Sequence, residues 1–255
     1  MRWLRIGYRV PASILATAFF AAIPATARLF LRRGNGAALR LGAWSCRGWG
    51  RAMCAILGVT REVSGPRPEG GVFLVASNHL SYLDILVLGS LYRSTFLAKR
   101  EIAGWPAFGW IARGAGTLFV DRSQPKDVVR AGRAMSERLA LGIPLTIFPE
   151  GRSTDGREIL PYQPSLLEPA AKAGVPCWAV SISYDTPGSA VSPARTVCWH
   201  DSENFVTHFR RLVALPRIVA HVRFAEAPLV SDDRKLLARE LRERALASFQ
   251  PVRQP

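Results

Sequence analysis

The sequence lacks the motifs that mark several common classes of protein. Its four cysteines, at positions 46, 54, 177 and 198, form no C-x-x-C pair, which is typical of buried thiols in a reducing compartment rather than of a disulfide framework. Its four histidines, at positions 79, 200, 208 and 221, show no metal-binding spacing such as H-E-x-x-H, so we expect no zinc or other metal site. A Gly-x-Ser-x-Gly motif is also missing, which argues against a serine hydrolase.

Acidic residues are missing from the first quarter of the chain. Residues 1–61 contain ten arginines and no aspartate or glutamate, and the first carboxylate is Glu62. Much of the net charge of +15 therefore lies beside the most apolar stretch of the sequence. This pairing indicates an anionic lipid surface rather than nucleic acid, because the sequence carries no recognisable DNA- or RNA-binding signature.

The longest uncharged apolar run in the sequence is barely long enough to cross a membrane. Residues 10–27 are 18 uncharged residues, just under the ~20 that a transmembrane helix needs. Residues 25–27 read Ala-Thr-Ala, so a cleaved signal peptide is an alternative to an anchor or interfacial helix. Residues 37–57 interleave tryptophan and leucine with arginine, which predicts a helix in the headgroup layer or, alternatively, a helix packed on the domain. Together these segments predict a membrane-associated helical hairpin over 1–58, followed by a globular domain over 59–255.

The remainder of the chain alternates between strand and helix patterns. Short apolar runs predict strands at 72–76, 95–98, 117–120, 144–148, 177–183, 195–199 and 218–224. Amphipathic patterns predict helices at 83–91, 126–141, 165–173 and 232–248. This alternation indicates an α/β fold with a mostly parallel sheet flanked by helices.

A histidine and an aspartate stand where the strand at 72–76 gives way to a helix. His79 precedes Asp84 by five residues, and in a continuous helix the two side chains would lie about 140° apart. If His79 comes before the first regular turn, its ring can fold back onto Asp84, which would then hold one imidazole nitrogen and leave the other free to take a proton. Alternatively, His79 caps the helix and Asp84 faces the helix dipole. The residues alone leave both interpretations open.

Two further predicted strands end in polar side chains. The strand at 117–120 runs into an acid and an arginine, and the strand at 144–148 runs into a Glu-Gly-Arg-Ser loop. Open α/β sheets place ligand sites at the C-terminal ends of their strands, and arginine suits phosphate or carboxylate ligands. The candidate binding residues at these ends are Arg122, Glu150, Gly151, Arg152 and Ser153. An ion pair between Glu150 and Arg152 is the structural alternative.

These groups, in this order, resemble the motif blocks of the glycerolipid acyltransferase family, whose type member is 1-acylglycerol-3-phosphate acyltransferase. The first block is Asn78-His79-x-x-x-x-Asp84, and the second covers 116–122. The third is the Phe-Pro-Glu-Gly of 148–151, and a region at 174–180 resembles the fourth. The resemblance covers about residues 60–185, and makes 59–255 an acyltransferase domain.

The resemblance implies direct acyl transfer from acyl-CoA or acyl carrier protein to a lysolipid hydroxyl. His79 would deprotonate the hydroxyl and Asp84 would hold His79, with no metal, cofactor or acyl-enzyme. The substrate-binding residues carried over from the motif blocks, together with their neighbours, are Asn78, Arg122, Glu150, Gly151, Arg152 and Ser153. The implied partners are membrane lipids and the acyl donor, and the implied location is the cytoplasmic face of a membrane.

The acceptor site departs from the family pattern. Residues 150–153 read Glu-Gly-Arg-Ser where the family usually has Glu-Gly-Thr-Arg, Tyr162-Gln163 replaces Phe-Lys, and Ala179 replaces a proline. The stretch 153–162 also resembles the branch that acylates lyso-ornithine lipid. We therefore predict lysophosphatidate as the acceptor, with lyso-ornithine lipid or another lysolipid as the alternative. The alternative from another functional class is a basic lipid-binding protein that has no catalytic activity.

Overall fold

Seven strands form one sheet at the centre of the protein. The computed structural model describes residues 2–30, 36–104, 108–121, 124–200 and 203–254. The strands are β1 (Val59–Ser64), β2 (Leu74–Ser77), β3 (Thr95–Lys99), β4 (Leu118–Val120), β5 (Leu145–Ile147), β6 (Cys177–Asp185) and β7 (Ile218–Phe224). Their order across the sheet is β1-β7-β6-β2-β5-β3-β4, and every neighbouring pair is parallel except β6 and β7. The predicted α/β class with a mostly parallel sheet is confirmed.

Helices bury both faces of this sheet. The α-helices of the described residues are α1 (Arg2–Phe30), α2 (Ala37–Leu57), α3 (Leu83–Leu91), α4 (Arg100–Ala103), α5 (Phe108–Gly114), α6 (Pro125–Ala140), α7 (Glu168–Ala173), α8 (Pro193–Thr196), α9 (Phe205–Val213) and α10 (Arg234–Ser248). One face packs against α2, α3 and α9 through residues such as Leu88 and Leu212, and the other packs against α6, α7 and α10 through residues such as Met135 and Leu241. Burial on both sides explains why β2 has no polar-apolar alternation.

One predicted strand is wrong, and four elements of the described residues were not predicted. Residues 193–196 form α8 instead of a strand at 195–199, and the N–H of Val197 donates to the carbonyl of Pro193 at 2.8 Å. A short apolar run does not distinguish a strand from a buried helical turn, and proline suits the first helical position. The unpredicted elements are β1, α4, α5 and α9. The N-cap of α9, Asn204, accepts hydrogen bonds from two backbone N–H groups.

Helices α1 and α2 form an antiparallel hairpin that packs on the domain. The indole N–H of Trp49 donates to Thr17 at 3.0 Å, and Ser45 donates to the carbonyl of Phe20. The buried side of α2 joins the same core as α3, through residues that include Cys54. This packing matches the alternative of a helix packed on the domain for 37–57, while the boundary between an anchoring segment and a catalytic domain stays a prediction.

Helix α1 has one face on the protein and one apolar face in solvent. Arg9 is 4% exposed and donates to the carbonyls of Val213 and Leu215 at 3.1 and 2.6 Å. The exposed large apolar side chains of α1 are Trp3, Leu4, Tyr8, Ile14, Leu15 and Phe19. The segment Arg2–Ala27 is long and apolar enough to cross a membrane by length and composition. The helix therefore offers lipid an apolar surface while its first arginines anchor it to the domain.

The crossing of α2 over α3 requires a glycine. A Cβ atom on Gly50 would lie 2.6 Å from the carbonyl oxygen of Leu86 and 2.9 Å from the backbone nitrogen of Ser90. We expect Gly50→Ala to lower the free energy of unfolding by about 1–3 kcal/mol, because the two helix backbones must move apart. Chemical denaturation in detergent micelles measures this loss.

Gly7 provides the matched control for this substitution. A Cβ atom at Gly7 on α1 has nothing within 4 Å, so Gly7→Ala should leave stability unchanged or raise it by up to about 1 kcal/mol through helix propensity. Equal destabilisation by both substitutions would contradict the assignment of the effect to the contact between α2 and α3.

Candidate active site

The candidate catalytic pair lies at the turn between β2 and α3. Strand β2 ends at Ser77, residues 78–82 form a connection, and α3 begins at Leu83. His79 precedes the helix, and its ring folds back so that Nδ1 lies 2.7 Å from Oδ2 of Asp84. A carboxylate can only accept a hydrogen bond, so Nδ1 carries the proton of this contact and Nε2 is left as an acceptor. The structure thus brings together the histidine and aspartate that are five residues apart in sequence.

The carboxylate of Asp84 is fully buried and accepts four hydrogen bonds. Oδ2 accepts from the ring of His79 and from the backbone N–H groups of Leu80 and Ser81, at 2.7, 2.7 and 2.9 Å. Oδ1 accepts from the hydroxyl of Tyr184 at 2.7 Å. A buried carboxylate needs such a set of donors to offset the loss of water. These charge-assisted bonds hold the carboxylate still, and the carboxylate in turn orients the imidazole.

The backbone of His79 is held by the loop 150–154. Its N–H donates to Oε1 of Glu150 at 2.7 Å, and its carbonyl accepts from the N–H of Thr154 at 2.9 Å. Oε2 of Glu150 accepts from the N–H of Leu160 at 2.8 Å. Burial is the main reason that the pKa of Glu150 is raised to about 7. Glu150 therefore holds the backbone of His79, and its predicted part in substrate binding stays a prediction.

The side chain of Asn78 is bonded inside the protein. Its Nδ2 donates to the carbonyl of Ile182 at 3.0 Å, and its Oδ1 accepts from the N–H of the same residue at 2.7 Å. The side chain is fully buried. Because both ends of the amide are bonded to β6, Asn78 ties the end of β2 to β6, and its predicted part in substrate binding stays a prediction.

His79 opens onto a cleft of about 900 Å³ at the C-terminal ends of the parallel strands. The ring of Phe148 stacks on the imidazole with 4.0 Å between centroids and 15° between planes. The apolar lining residues of the cleft are Ile85, Leu97, Ala98, Ile102, Phe148 and Leu160. The charged ones are Lys99, Glu101, Arg152, Asp155, Arg157, Glu158 and Glu203. A lining that combines apolar and charged groups suits an amphipathic ligand.

Three of the predicted binding residues line this cleft. Gly151 has a φ of 85°, a conformation that favours glycine, and Ser153 donates its hydroxyl proton to the carbonyl of Trp199 at 2.6 Å. Arg152 is exposed and makes no ion pair or hydrogen bond with another described residue, so its predicted alternative, a pair with the neighbouring glutamate, is not formed. Its guanidinium is available to a ligand. Arg122 lies outside the described residues.

The four cysteines do not fit the role of nucleophile. All are buried and free, and burial raises the pKa of the Cys46 thiol to about 12 and that of Cys54 to about 11. A reactive cysteine needs an accessible thiolate. The geometry of the cleft therefore suits a base that acts on an incoming hydroxyl.

Sequence reasoning missed two tyrosines behind the catalytic pair. Tyr184 lies 100 residues from Asp84, and no local pattern links them. Tyr82 lines the cleft and donates to Nδ1 of His208 at 2.9 Å, since Nε2 of that ring donates to the carbonyl of Cys198. Burial lowers the pKa of His208 to about 4, so this histidine is a neutral structural group. Only the sheet pairing and the position of α9 could have identified these contacts.

Comparison with known proteins places the same region in one family. Residues 60–183 match the family model described as Acyltransferase. A 1-acyl-sn-glycerol-3-phosphate acyltransferase of Neisseria meningitidis is 40% identical over 137 residues, which is 53% of each chain. The match thus spans about half the length of that relative. Lyso-ornithine lipid O-acyltransferases of Pseudomonas aeruginosa and Brucella abortus are 36% and 31% identical, over 77% and 87% of this chain and 75% and 86% of their own lengths.

A solved structure shares the fold. The crystal structure of the 1-acyl-sn-glycerophosphate (LPA) acyltransferase PlsC from Thermotoga maritima aligns with a TM-score of 0.63, covering 97% of both chains at 21% identity. At that identity the likeness concerns the fold alone. The motif blocks, the match over 60–183 and the extent of similarity to the Pseudomonas and Brucella relatives together show that this chain belongs to the acyltransferase family.

Proposed function

We propose that this protein transfers an acyl chain from a thioester donor to the free hydroxyl of a lysolipid. The observation that carries the proposal is the state of His79. Its Nδ1 is committed to the buried Asp84, while the same ring lines the cleft. Nε2 is therefore the atom that can take a proton from a substrate, which is the requirement for a general base.

In the proposed reaction His79 Nε2 accepts the hydroxyl proton as the hydroxyl oxygen attacks the thioester carbonyl carbon. A C–O bond forms and the C–S bond breaks. The leaving sulfur then takes the proton from His79 and departs as a free thiol. Asp84 stabilises the imidazolium between the two proton transfers. The donor is acyl-CoA or acyl carrier protein, and the reaction uses no metal, no cofactor and no acyl-enzyme.

The first candidate acceptor is lysophosphatidate, 1-acyl-sn-glycerol-3-phosphate. The unpaired guanidinium of Arg152 supports this choice, because arginine can hold a phosphate through two hydrogen bonds. Lyso-ornithine lipid is the second candidate, since relatives with that activity in their names resemble more of this chain than the Neisseria relative does. The mixed charges of the cleft, with Lys99 and Arg152 near Glu101 and Glu158, would also suit a zwitterionic headgroup.

We also propose that α1 lies in the interface of a membrane on its cytoplasmic side. Its apolar stripe is well exposed, with Leu15 at 70% and Phe19 at 64%, while its other face packs on the domain. Such a helix can bury one face among lipid headgroups. The four free cysteines suit a reducing compartment. A non-catalytic lipid-binding protein of the same fold would keep this surface and show no turnover.

We expect His79→Ala to lower turnover by about 10²–10⁴-fold, because a positioned base is lost. Thiol release from a long-chain acyl-CoA, and from an acyl carrier protein, is measured in micelles with lysophosphatidate and with lyso-ornithine lipid. Vesicle flotation should be unchanged. His221→Gln, on β7 beside Glu62 and Asp185, is the control and should keep its turnover.

The acceptors distinguish the candidate functions. Activity with lyso-ornithine lipid alone would show that lysophosphatidate is not the acceptor, and it would leave the proposed mechanism unchanged. Near-normal turnover in His79→Ala would remove this residue from the mechanism. Lipid binding without turnover for any pair of donor and acceptor would favour the non-catalytic protein.

Tyr184→Phe should lower kcat about tenfold, because a hydrogen bond to a charged group is lost, with little change in KM. Without this donor the carboxylate of Asp84 would be held less firmly against the ring of His79, so the loss should fall on the proton-transfer step. Tyr162→Phe is the matched control, since the hydroxyl of Tyr162 is buried without a hydrogen-bond partner. A kcat unchanged by Tyr184→Phe would reduce Tyr184 to a packing role.

Glu150 should make stability depend on pH. Its pKa is raised from 4.5 to about 7 in the folded protein, so the folded state holds a proton that the unfolded state releases. As pH rises through this window, wild type should lose up to roughly 3 kcal/mol of stability relative to Glu150→Gln. Denaturant unfolding between pH 4 and 8, with Glu137→Gln on the exposed side of α6 as control, measures this difference. A constant difference across the window would contradict the raised pKa.

A further inference from the structure

A second cavity lies at the opposite end of the sheet from the candidate active site. It has a volume of about 840 Å³ and is bounded by α2, by the loop 65–71 after β1, and by the residues that precede β2 and β5. It shares no lining residue with the catalytic cleft among the described residues. Because β2 and β5 are parallel, their N-terminal ends lie a strand's length away from His79. The cavity is therefore a separate feature of the molecule.

Four arginines line this cavity and face little opposing charge. They are Arg40, Arg47, Arg67 and Arg93, and Glu69 is the one carboxylate among the described lining residues. Arg40 donates to a backbone carbonyl at 2.7 Å. The other three make no ion pair or hydrogen bond with any described residue. Several guanidinium groups around a concave space, with one opposing carboxylate, form a positively charged surface that can bind an anion.

Arg47 is the most confined of the four. Its side chain is half-buried on α2, and its Nε is buried with no hydrogen-bond partner. Burial and the positive charges of Arg51, Arg93 and Arg67 lower the pKa of this arginine. A buried donor without an acceptor and a cluster of like charges both destabilise the empty cavity. An anion bound there would relieve both.

The position of α2 indicates where the anion comes from. Arg40, Trp44, Arg47 and Arg51 follow one another at spacings of four, three and four residues, so they share one face of the helix. Trp44 is 44% exposed, and tryptophan beside arginine is typical of a surface at the headgroup layer. Helix α2 packs along α1, whose exposed stripe is the proposed lipid contact. The cavity thus lies next to the surface that would meet the membrane.

We propose that this cavity binds a phosphate group, and that its source is the headgroup of an anionic phospholipid distinct from the lysolipid substrate. The arginines on α2, in the loop 65–71 and after α3 would hold the phosphate from three sides. Such a site would retain the protein on anionic membranes in a fixed orientation. The inference rests on the proposed membrane association and is independent of the catalytic mechanism.

The test titrates the full chain in detergent micelles with dihexanoyl phosphatidylglycerol and, separately, with sodium phosphate, following tryptophan fluorescence. We expect saturable binding of the lipid, and at least about tenfold weaker binding in Arg47→Gln/Arg93→Gln, because two charge-assisted contacts are lost. The matched control, Arg133→Gln/Arg239→Gln, removes the same charge from α6 and α10 on the other face of the sheet. It should change the apparent Kd by less than about twofold.

The arms of the experiment separate the outcomes. If the apparent Kd for sodium phosphate equals that for the lipid, the phosphate site is supported, but its ligand is a soluble phosphate and the proposed lipid source is rejected. No binding of either probe, or an equal loss in the control variant, would overturn the proposal. Arg93→Gln, which changes only an exposed side chain, keeps the test valid if the double variant does not fold. His79→Ala should bind the lipid with the same apparent Kd as wild type. Loss of turnover and loss of lipid binding are therefore separate results, and they test the catalytic proposal and this proposal independently.

Discussion

The buried carboxylate of Asp84 organises the site. It collects its four donors from three parts of the molecule: the ring of His79, the backbone of the turn at 80–81, and Tyr184 on β6. A buried charge is destabilising unless such donors are all in place. The turn, the start of α3 and the neighbouring strand β6 must therefore form together. The orientation of the imidazole is a consequence of the same network.

The polar residues of the motif blocks divide into two kinds. Asn78 and Glu150 use their side chains inside the protein, where they fasten β2 to β6 and hold the backbone of His79. Arg152 and the free nitrogen of His79 face the cleft, where a substrate would bind. This division explains how the irregular connection between β2 and α3 can hold Nε2 of His79 in a fixed position. The rigid part consists of groups whose hydrogen bonds are made inside the protein.

The two ends of the sheet have different electrostatic character. The C-terminal ends of the strands carry a cleft with charges of both signs, and the N-terminal ends carry the arginine cavity. Of the α1–α2 hairpin, α2 lines the arginine cavity, and no described residue of the hairpin lines the catalytic cleft.

Much of this arrangement could be predicted from the sequence, because local patterns determine it. The alternation of strands and helices, the apolar stretch of α1 and the spacing of His79 and Asp84 are all local features. The strand expected at 195–199 failed because a short apolar run also suits a buried helical turn. The inward roles of Asn78 and Glu150, the contact with Tyr184 and the gathering of four arginines were decided by tertiary structure alone. A polar side chain takes its role from its partners, and these partners lie tens of residues away until the sheet brings them together.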